Sequence, residues 1–447
     1  MKFRLCLRQP AMSDRLSTKP YKGSRDFFPP EMRSRDWAFS VLSNTVESFG
    51  FEKIDAPVLE PIEIYLAKTS QEIVEQQMYS FTDRGDRQVA IRPEMTPTVS
   101  RMVAAQLRET PRPIRWYSLP NLWRYERPGK GRLREHWQLN CDLFGAHDQD
   151  MADLELIQLA ANLLLAFGAD KSMFAIRLNH RSWLNFVLAD LAKLNPELTA
   201  SVARVMDKKE KVSPEEYAKL LQEAGCTPAQ VELIESYSSG GLEFLNKYPD
   251  AKEAQPLLKL LAAIKDIGLD EYVVYDPTII RGFDYYTGMV FEVNDLHPEN
   301  RRSLFGGGRY DNLVGMFSKE NINACGFGMG DVTLFDFLQT HGLLKQPSKQ
   351  TDVYVAWFPE PELQTNAFNI TALLRKSGLR VEQSLGPAKL GKQFEEAQKK
   401  SARFVVVCGS NELEKNIVVI KDMSTGDQKE VALSEIEQSI KGSLSSL

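Results

Sequence analysis

Four stretches of this 447-residue chain concentrate side chains that can hold ions or move charge. The most charged is RYERPGKGRLREH, Arg124 to His136, with five basic and two acidic side chains. A solvated hairpin would explain such a loop. Its flanks, LPNLW and WQLNCDLFG, are strongly apolar, however, and predict a buried strand on each side. A loop anchored that way is held rigidly, and its guanidinium forks could grip phosphate oxygens at two points. The second stretch is IRPEMTPT, Ile91 to Thr98. On a strand, Glu94 and Thr96 would share a face and could hold an ammonium group. A capped turn before a helix from 97 onward fits the same residues equally well. The third, IRGFDYYTGMVF from Ile280 to Phe291, sets Arg281 beside a glycine, an acid and two tyrosines. Gly282 and Gly288 would permit close backbone approach by a ligand. The fourth, FGGGRYD from Phe305 to Asp311, has neither Walker spacing nor a dinucleotide fingerprint. Three glycines ahead of Arg309 would let a flat ring lie against the backbone.

The elements that must position these groups are legible in outline. Helical spacing of Trp37, Val41, Leu42, Thr45 and Phe49, stopped by Gly50, predicts a helix over 31–49. A strand is expected over Phe51–Pro57, two more over 111–125 and 136–145, and a helix over 151–167. From about 190 to 270 the texture turns to Leu, Ala, Lys and Glu, which reads as a helical insertion. Strands return at Tyr272–Tyr275 and Met289–Val293. The polar run LLKQPSKQT at 343–351 marks a boundary. Beyond it, strands at Val353–Trp357, Val381–Leu385, Phe404–Cys408 and Ile417–Ile420 alternate with helices near 361–377 and 388–401. That alternation predicts a small α/β domain with a largely parallel sheet.

The bulk numbers exclude several classes. Hydrophobic residues make up 43% and charged residues 26%, the balance of a globular protein. No apolar run reaches the roughly 18–20 residues of a spanning helix. Residues 1–18 read as an N-terminal extension, too arginine-rich for a secretory signal, with Met12 an alternative start. Five scattered cysteines without a CxxC pair argue against disulfides or structural zinc and fit a cytoplasmic setting. No metal site made by protein alone is expected. A net charge of −5 decides little, because local basic loops can steer a polyanion.

Together the four stretches resemble the histidyl-tRNA synthetases, of the class II synthetase fold, from about Lys19 onward. The opening PYKGSRDFFPPEMR looks like that family's usual start. Residues 31–61 resemble its first class motif and 115–145 its second. RGFDYYTGMVFE and GGGRYD resemble stretches particular to the histidine enzyme. The resemblance implies an α+β catalytic domain, an antiparallel sheet flanked by helices, over 19–189 and 271–345. It also implies a helical insertion domain at 190–270 and an anticodon-binding α/β domain at 351–447. The expected activity consumes ATP to make histidyl-adenylate and then esterifies histidine to its tRNA, in a homodimer with no membrane partner.

By the same resemblance, Arg124 and Arg281 would clamp the α-phosphate from opposite sides as the catalytic pair. Glu126 would lie near adenine, and Arg132 would hold the outer phosphates, bridged by Mg2+. Glu94 and Thr96 would hold the ammonium of L-histidine and Gln138 would place it. Asp142 would face the imidazole between Tyr285 and Tyr286. Two positions depart from the family. Thr333 stands where the third motif has an arginine for the γ-phosphate: either another cation, with Arg309 the candidate, replaces it in ATP binding, or ATP binding is weakened. Gly129 stands where many bacterial members have a glutamine that reads the extra 5′ nucleotide of the tRNA. An alternative on the same fold is a non-catalytic histidine-binding regulator of the ATP phosphoribosyltransferase of histidine biosynthesis. The intact Arg281 stretch and the C-terminal domain favour the ligase.

Overall fold

The structure is a computed structural model that describes residues 16–66, 73–209, 212–280, 286–300, 302–349, 351–386 and 388–445. The described residues form two compact units. One is drawn from Met1–Asp26 and Asp36–Lys345, the other from Phe27–Arg35 and Gln346–Leu447. The change at Lys345 falls inside the polar run LLKQPSKQT.

The first unit holds twelve described strands. These are β1 (Glu52–Lys53), β2 (Leu59–Pro61), β3 (Tyr79–Thr82), β4 (Gln88–Ile91), β5 (Ile114–Ser118) and β6 (Asn121–Trp123). Then come β7 (Glu135–Phe144), β8 (Phe174–His180), β9 (Val273–Tyr275), β10 (Met289–Asp295), β11 (Ser303–Arg309) and β12 (Ala324–Gly330). The main sheet has the order β1-β5-β7-β12-β11-β10-β8-β9, with β6 also on β7; β2-β4-β3 form a separate small sheet. From β5 to β8 every neighbour is antiparallel, while the β1–β5 and β8–β9 pairs are parallel. The antiparallel sheet expected of the catalytic domain is therefore present.

The predicted strand over 51–57 shrinks to Glu52–Lys53, because Pro57 lacks a donor and Asp55 turns back on the backbone of Ala56. The strand expected over 111–125 is split at Leu119–Pro120 into β5 and β6 for the same reason.

The helices are α1 (Pro29–Ser48), α2 (Glu63–Leu66), α3 (Thr96–Gln106), α4 (Gln149–Leu165) and α5 (Arg181–Asn185). Residues 190–270 carry α6 (Pro196–Met206), α7 (Pro214–Glu223), α8 (Pro228–Leu245) and α9 (Gln255–Asp266), and α10 is Asp331–Thr340. Asn195, Ser213 and Thr227 cap α6, α7 and α8 with their side chains, each followed by proline at the first helical position. Each cap satisfies an otherwise orphaned N–H, worth about 1 kcal/mol. Ala38, Leu42 and Val46 of α1, much of α4 and the apolar faces of α6 to α9 join one continuous core with the sheet.

The second unit contains β13 (Thr351–Ala356), α11 (Pro361–Lys376), β14 (Val381–Gln383), α12 (Leu390–Lys399) and β15 (Ala402–Val407). It continues with α13 (Ser410–Glu414), β16 (Ile417–Asp422), β17 (Gln428–Ala432) and α14 (Ile436–Ser445). Val353 and Val355 share a core with Ile370 and Leu374 of α11, while Tyr354 and Ala356 pack with Ala397 of α12. The two-residue strand period thus buries both faces. The sheet is less parallel than expected: β14-β13-β15 are parallel, but β16 and β17 join antiparallel. Short connections, one closed by Gly426 at φ 84°, are too brief for a parallel crossover.

Candidate functional site

Strand register divides the main sheet into two unlike faces. Gly308, Gly306, Gly326 and Gly328 are cross-strand partners, and Gly326, Gly328 and Gly330 pair with Asp142, Asn140 and Gln138 of β7. Paired residues share a face, so the five glycines form a strip beside Gln138, Asn140 and Asp142. The opposite face carries Leu139, Cys141, Phe327 and Met329 and belongs to the large apolar core. At one end of the glycine face, Trp116, Phe144 and Ala324 pack with Val99 and Val103 of α3, with Met95 just ahead of it and with Tyr310 after β11.

The strip is bare because polar side chains lie across it. A Cβ on Gly326 would stand 2.3 Å from the Tyr310 hydroxyl and 2.9 Å from the Asp142 carboxylate. One on Gly328 would stand 2.8 Å from the Gln138 amide, and one on Gly308 would stand 2.8 Å from the Tyr286 ring. Glycine is required here by close approach.

Asp142 is the centre of this group, 2% exposed. The Tyr310 hydroxyl donates to its Oδ1 in a short hydrogen bond, and Thr96 also bonds to it. Burial pushes its carboxyl up to about 7; the two hydrogen bonds pull it down and nearby Glu94 adds to the rise. Thr96 and Glu94 do reach the site, but not from a strand. Thr96 opens α3 and Glu94 sits in the turn before it, because Pro93 and Pro97 disfavour a continuous strand there.

Arg124 arrives from the other side of the same turn. Its Nε donates to the Pro93 carbonyl at 2.9 Å. His136, first on β7 along this face, has its imidazole held down at about 3 by loss of water and by the positive Arg124 and Arg25. Arg25 itself donates to the buried carboxylate of Asp331 at 2.6 Å, and Asp331 accepts the Trp137 N–H at 3.0 Å. The Gly23 carbonyl accepts the N–H of Arg134 at 2.8 Å, so the opening PYKGSRD segment braces the charged loop. Within that loop, Arg132 and Glu126 form an ion pair at 2.5 Å. The loop tip closes between Gly129 and Arg132, with Gly131 at φ 71° as the turn demands.

The structure brings Glu94, Thr96, Arg124, Gln138, Asp142 and Tyr286 together around the glycine strip. It pairs Glu126 and Arg132 on the loop. Arg281 and Tyr285 lie outside the described residues. Arg309 must be corrected. It pairs with Cys325, one residue out of phase with the glycines, and so projects from the opposite face. There it is 3% exposed, donating to Asp153 of α4 at 2.6 Å, to Asp311 at 3.2 Å and to the Gln149 carbonyl at 2.9 Å. A guanidinium committed to that buried pair is not presented to a nucleotide. Thr333 hydrogen-bonds the Leu304 carbonyl at 2.7 Å in the first turn of α10.

Sequence reasoning missed Tyr310, His136, Arg25 and Asp331 as members of the site. Tyr310 and His136 lay inside stretches already singled out. The alternation Gln138, Asn140, Asp142 extends backward to His136, a signal that was available. Arg25 and Asp331 are 306 positions apart and gave no local signal.

Comparison with known proteins completes the picture. A family model described as histidyl-tRNA synthetase matches residues 23–332, and one described as anticodon binding domain matches residues 352–443. The histidine–tRNA ligase of Leptospira biflexa is 46% identical over 434 residues, covering 96% of this chain and 99% of that protein. That of Thermoplasma volcanium is 37% identical over 421 residues, covering 93% and 96%. A histidyl-tRNA synthetase structure from a Nostoc species shares the fold with a TM-score of 0.78 at 24% identity, covering 96% of this chain and 99% of that one. The Staphylococcus aureus apo structure does so at 0.73 and 20%, covering 95% and 100%. A buried acid on a glycine-floored antiparallel sheet, these two family matches and near-full-length relatives lead to one conclusion: the chain belongs to the histidyl-tRNA synthetase family.

Proposed function

We propose that this chain is a histidine–tRNA ligase that activates L-histidine with ATP and esterifies it to the 3′ end of its tRNA. The observation that carries the reading is Asp142: a buried acid held by Thr96 and Tyr310, with Arg124 anchored at Pro93. In this reading the imidazole N–H donates to Asp142 beside Tyr286, with Tyr285 as the second wall. A site built to satisfy both ring nitrogens rejects apolar amino acids, which leave its buried polar groups unpaired. Glu94 and Thr96 take the ammonium group, and Gln138 orients the substrate over the glycines.

The histidine carboxylate then attacks the α-phosphorus of ATP and pyrophosphate leaves. Arg124 and Arg281 stabilise charge that builds on the phosphoryl oxygens, each worth roughly 2–4 kcal/mol of barrier. No side-chain nucleophile takes part. The terminal ribose hydroxyl of the tRNA next attacks the acyl carbon and releases AMP. Arg132 serves the outer phosphates and Glu126 the adenine, so their ion pair opens as ATP enters. Magnesium travels with the triphosphate, where it neutralises charge. Among the described residues no three metal-ligating side chains cluster to hold it alone.

The second unit serves the anticodon, a reading supported by the anticodon-binding family match over residues 352–443, and the helices of 190–270 serve the acceptor stem. The loop around Gly129 meets the 5′ end of that stem without the glutamine side chain of many bacterial members. A second copy of the chain is the natural cover for Val58, Leu59 and Phe81, which stand exposed on or beside the small sheet. The cytoplasm is the compartment that fits; no helix among the described residues is long and apolar enough to cross a membrane. The regulatory alternative is not favoured, because near-full-length relatives are histidine–tRNA ligases.

The test is histidine-dependent exchange of labelled pyrophosphate into ATP, with purified protein, magnesium and no tRNA. Exchange with histidine and not with other amino acids is expected. Histidine binding without exchange would overturn the ligase reading.

A further inference from the structure

A cavity of about 250 Å³ opens between the tip of the charged loop and the first turn of α10. Lys130 and Gly131 line it from the loop, Thr333 and Asp336 from the helix, and Arg302 from the lead-in to β11. The cavity sits where the family's third-motif cation is missing. Two cations reach it, and they are not equivalent. Lys130 donates to the Glu299 carbonyl at 3.1 Å and lies in the field of Asp336. Arg302 is exposed, and it takes part in no ion pair among the described residues.

Gly131 holds Arg302 and Thr333 side by side. A Cβ on this glycine would stand 3.2 Å from the Arg302 Cδ and 3.5 Å from the Thr333 Cγ2. The Gly131 N–H meanwhile donates to Asp336, which fixes the loop tip against α10. The arginine stem is therefore packed beside the position Thr333 occupies, with a planar fork beyond it suited to bidentate phosphate binding.

We propose that Arg302, reaching in from the start of β11, is the residue that binds the outer phosphates of ATP in place of a cation at position 333. The inference rests on the ligase reading above and names a residue for the same reaction. It also accounts for Arg309, whose charge is committed on the other face of the sheet.

Pyrophosphate exchange tests it, with KM for ATP and for histidine measured separately on the full-length protein. Arg302→Ala is expected to raise KM for ATP by about 10- to 100-fold, the usual loss for a charge-assisted contact. KM for histidine and the melting temperature stay unchanged, and Arg302→Lys falls between the two. Adding Thr333→Arg to Arg302→Ala is expected to recover most of the ATP affinity. A purely structural role for Arg302 would not produce that rescue. An unchanged KM for ATP in Arg302→Ala would overturn the assignment. So would a KM loss that Thr333→Arg leaves uncorrected. If the wild-type protein shows no exchange at all, the ligase reading itself fails, which is a separate and recognisable outcome.

Discussion

Replacing Asp142 with asparagine separates what this carboxyl costs the fold from what it contributes to recognition. Burial pushes it from its ordinary 3.8 up to about 7, even with Tyr310 and Thr96 bonded to it. Between pH 4 and 7 the folded chain keeps a proton that the unfolded chain releases. Stability from this group therefore falls as pH rises through that window, and the full cost is present above it. Roughly three pKa units at about 1.4 kcal/mol each set a ceiling of about 4 kcal/mol. Asparagine has no proton to lose, and its carbonyl still accepts from Tyr310. Relative to the wild type, Asp142→Asn should thus gain about 2–3 kcal/mol between pH 5 and pH 8. That corresponds to several °C in the transition that carries the first unit. Calorimetry of both proteins at the two pH values measures it. In the exchange assay the same variant should raise KM for histidine by about tenfold or more, because an uncharged amide is a weaker acceptor for the imidazole N–H. A melting-temperature gap that is equal at pH 5 and pH 8, or smaller at pH 8, would refute the reasoning about burial.

Arg309→Ala should destabilise the first unit by about 3–5 kcal/mol in urea melts, since it strands Asp153 in the core, while KM for ATP stays unchanged. A rise in that KM without lost stability would return Arg309 to the nucleotide. Gly326→Ala puts a methyl 2.3 Å from the Tyr310 hydroxyl. It should cost about 1–3 kcal/mol and raise KM for histidine more than KM for ATP, and equal changes in both would count against the glycine floor as a histidine device. Arg124→Ala should slow exchange by about 10²–10³-fold with an unaltered melting temperature, and a loss below tenfold would remove it from the phosphoryl clamp.

Much of the site was legible because its parts are local. The charged loop announced itself by apolar flanks, and an antiparallel sheet could be expected once the family was recognised, though not the order of its strands. Asp142 and Gln138 were named only through the family resemblance; their place on a strand beside a basic loop did not single them out by itself. Glu94 and Thr96 were identified as candidates with a strand face and a turn before a helix both open, and the prolines around them decide for the turn and the helix start. The C-terminal βαβ alternation was visible, yet β17 was not, since QKEVA is too polar to read as a strand.

The sequence by itself determined which side chains exist within each stretch and their two-residue alternation. It could not say which face of the sheet meets substrate. That depends on register between strands far apart in the chain: Gly326 with Asp142, Arg309 with Cys325. A shift of one residue would exchange Arg309 for a glycine on the ligand face. Only the tertiary structure sends Arg309 to Asp153, joins Arg25 to Asp331 and lays Arg302 against Gly131. These contacts arise from long-range pairing and packing, for which no spacing within a single stretch provides a signal.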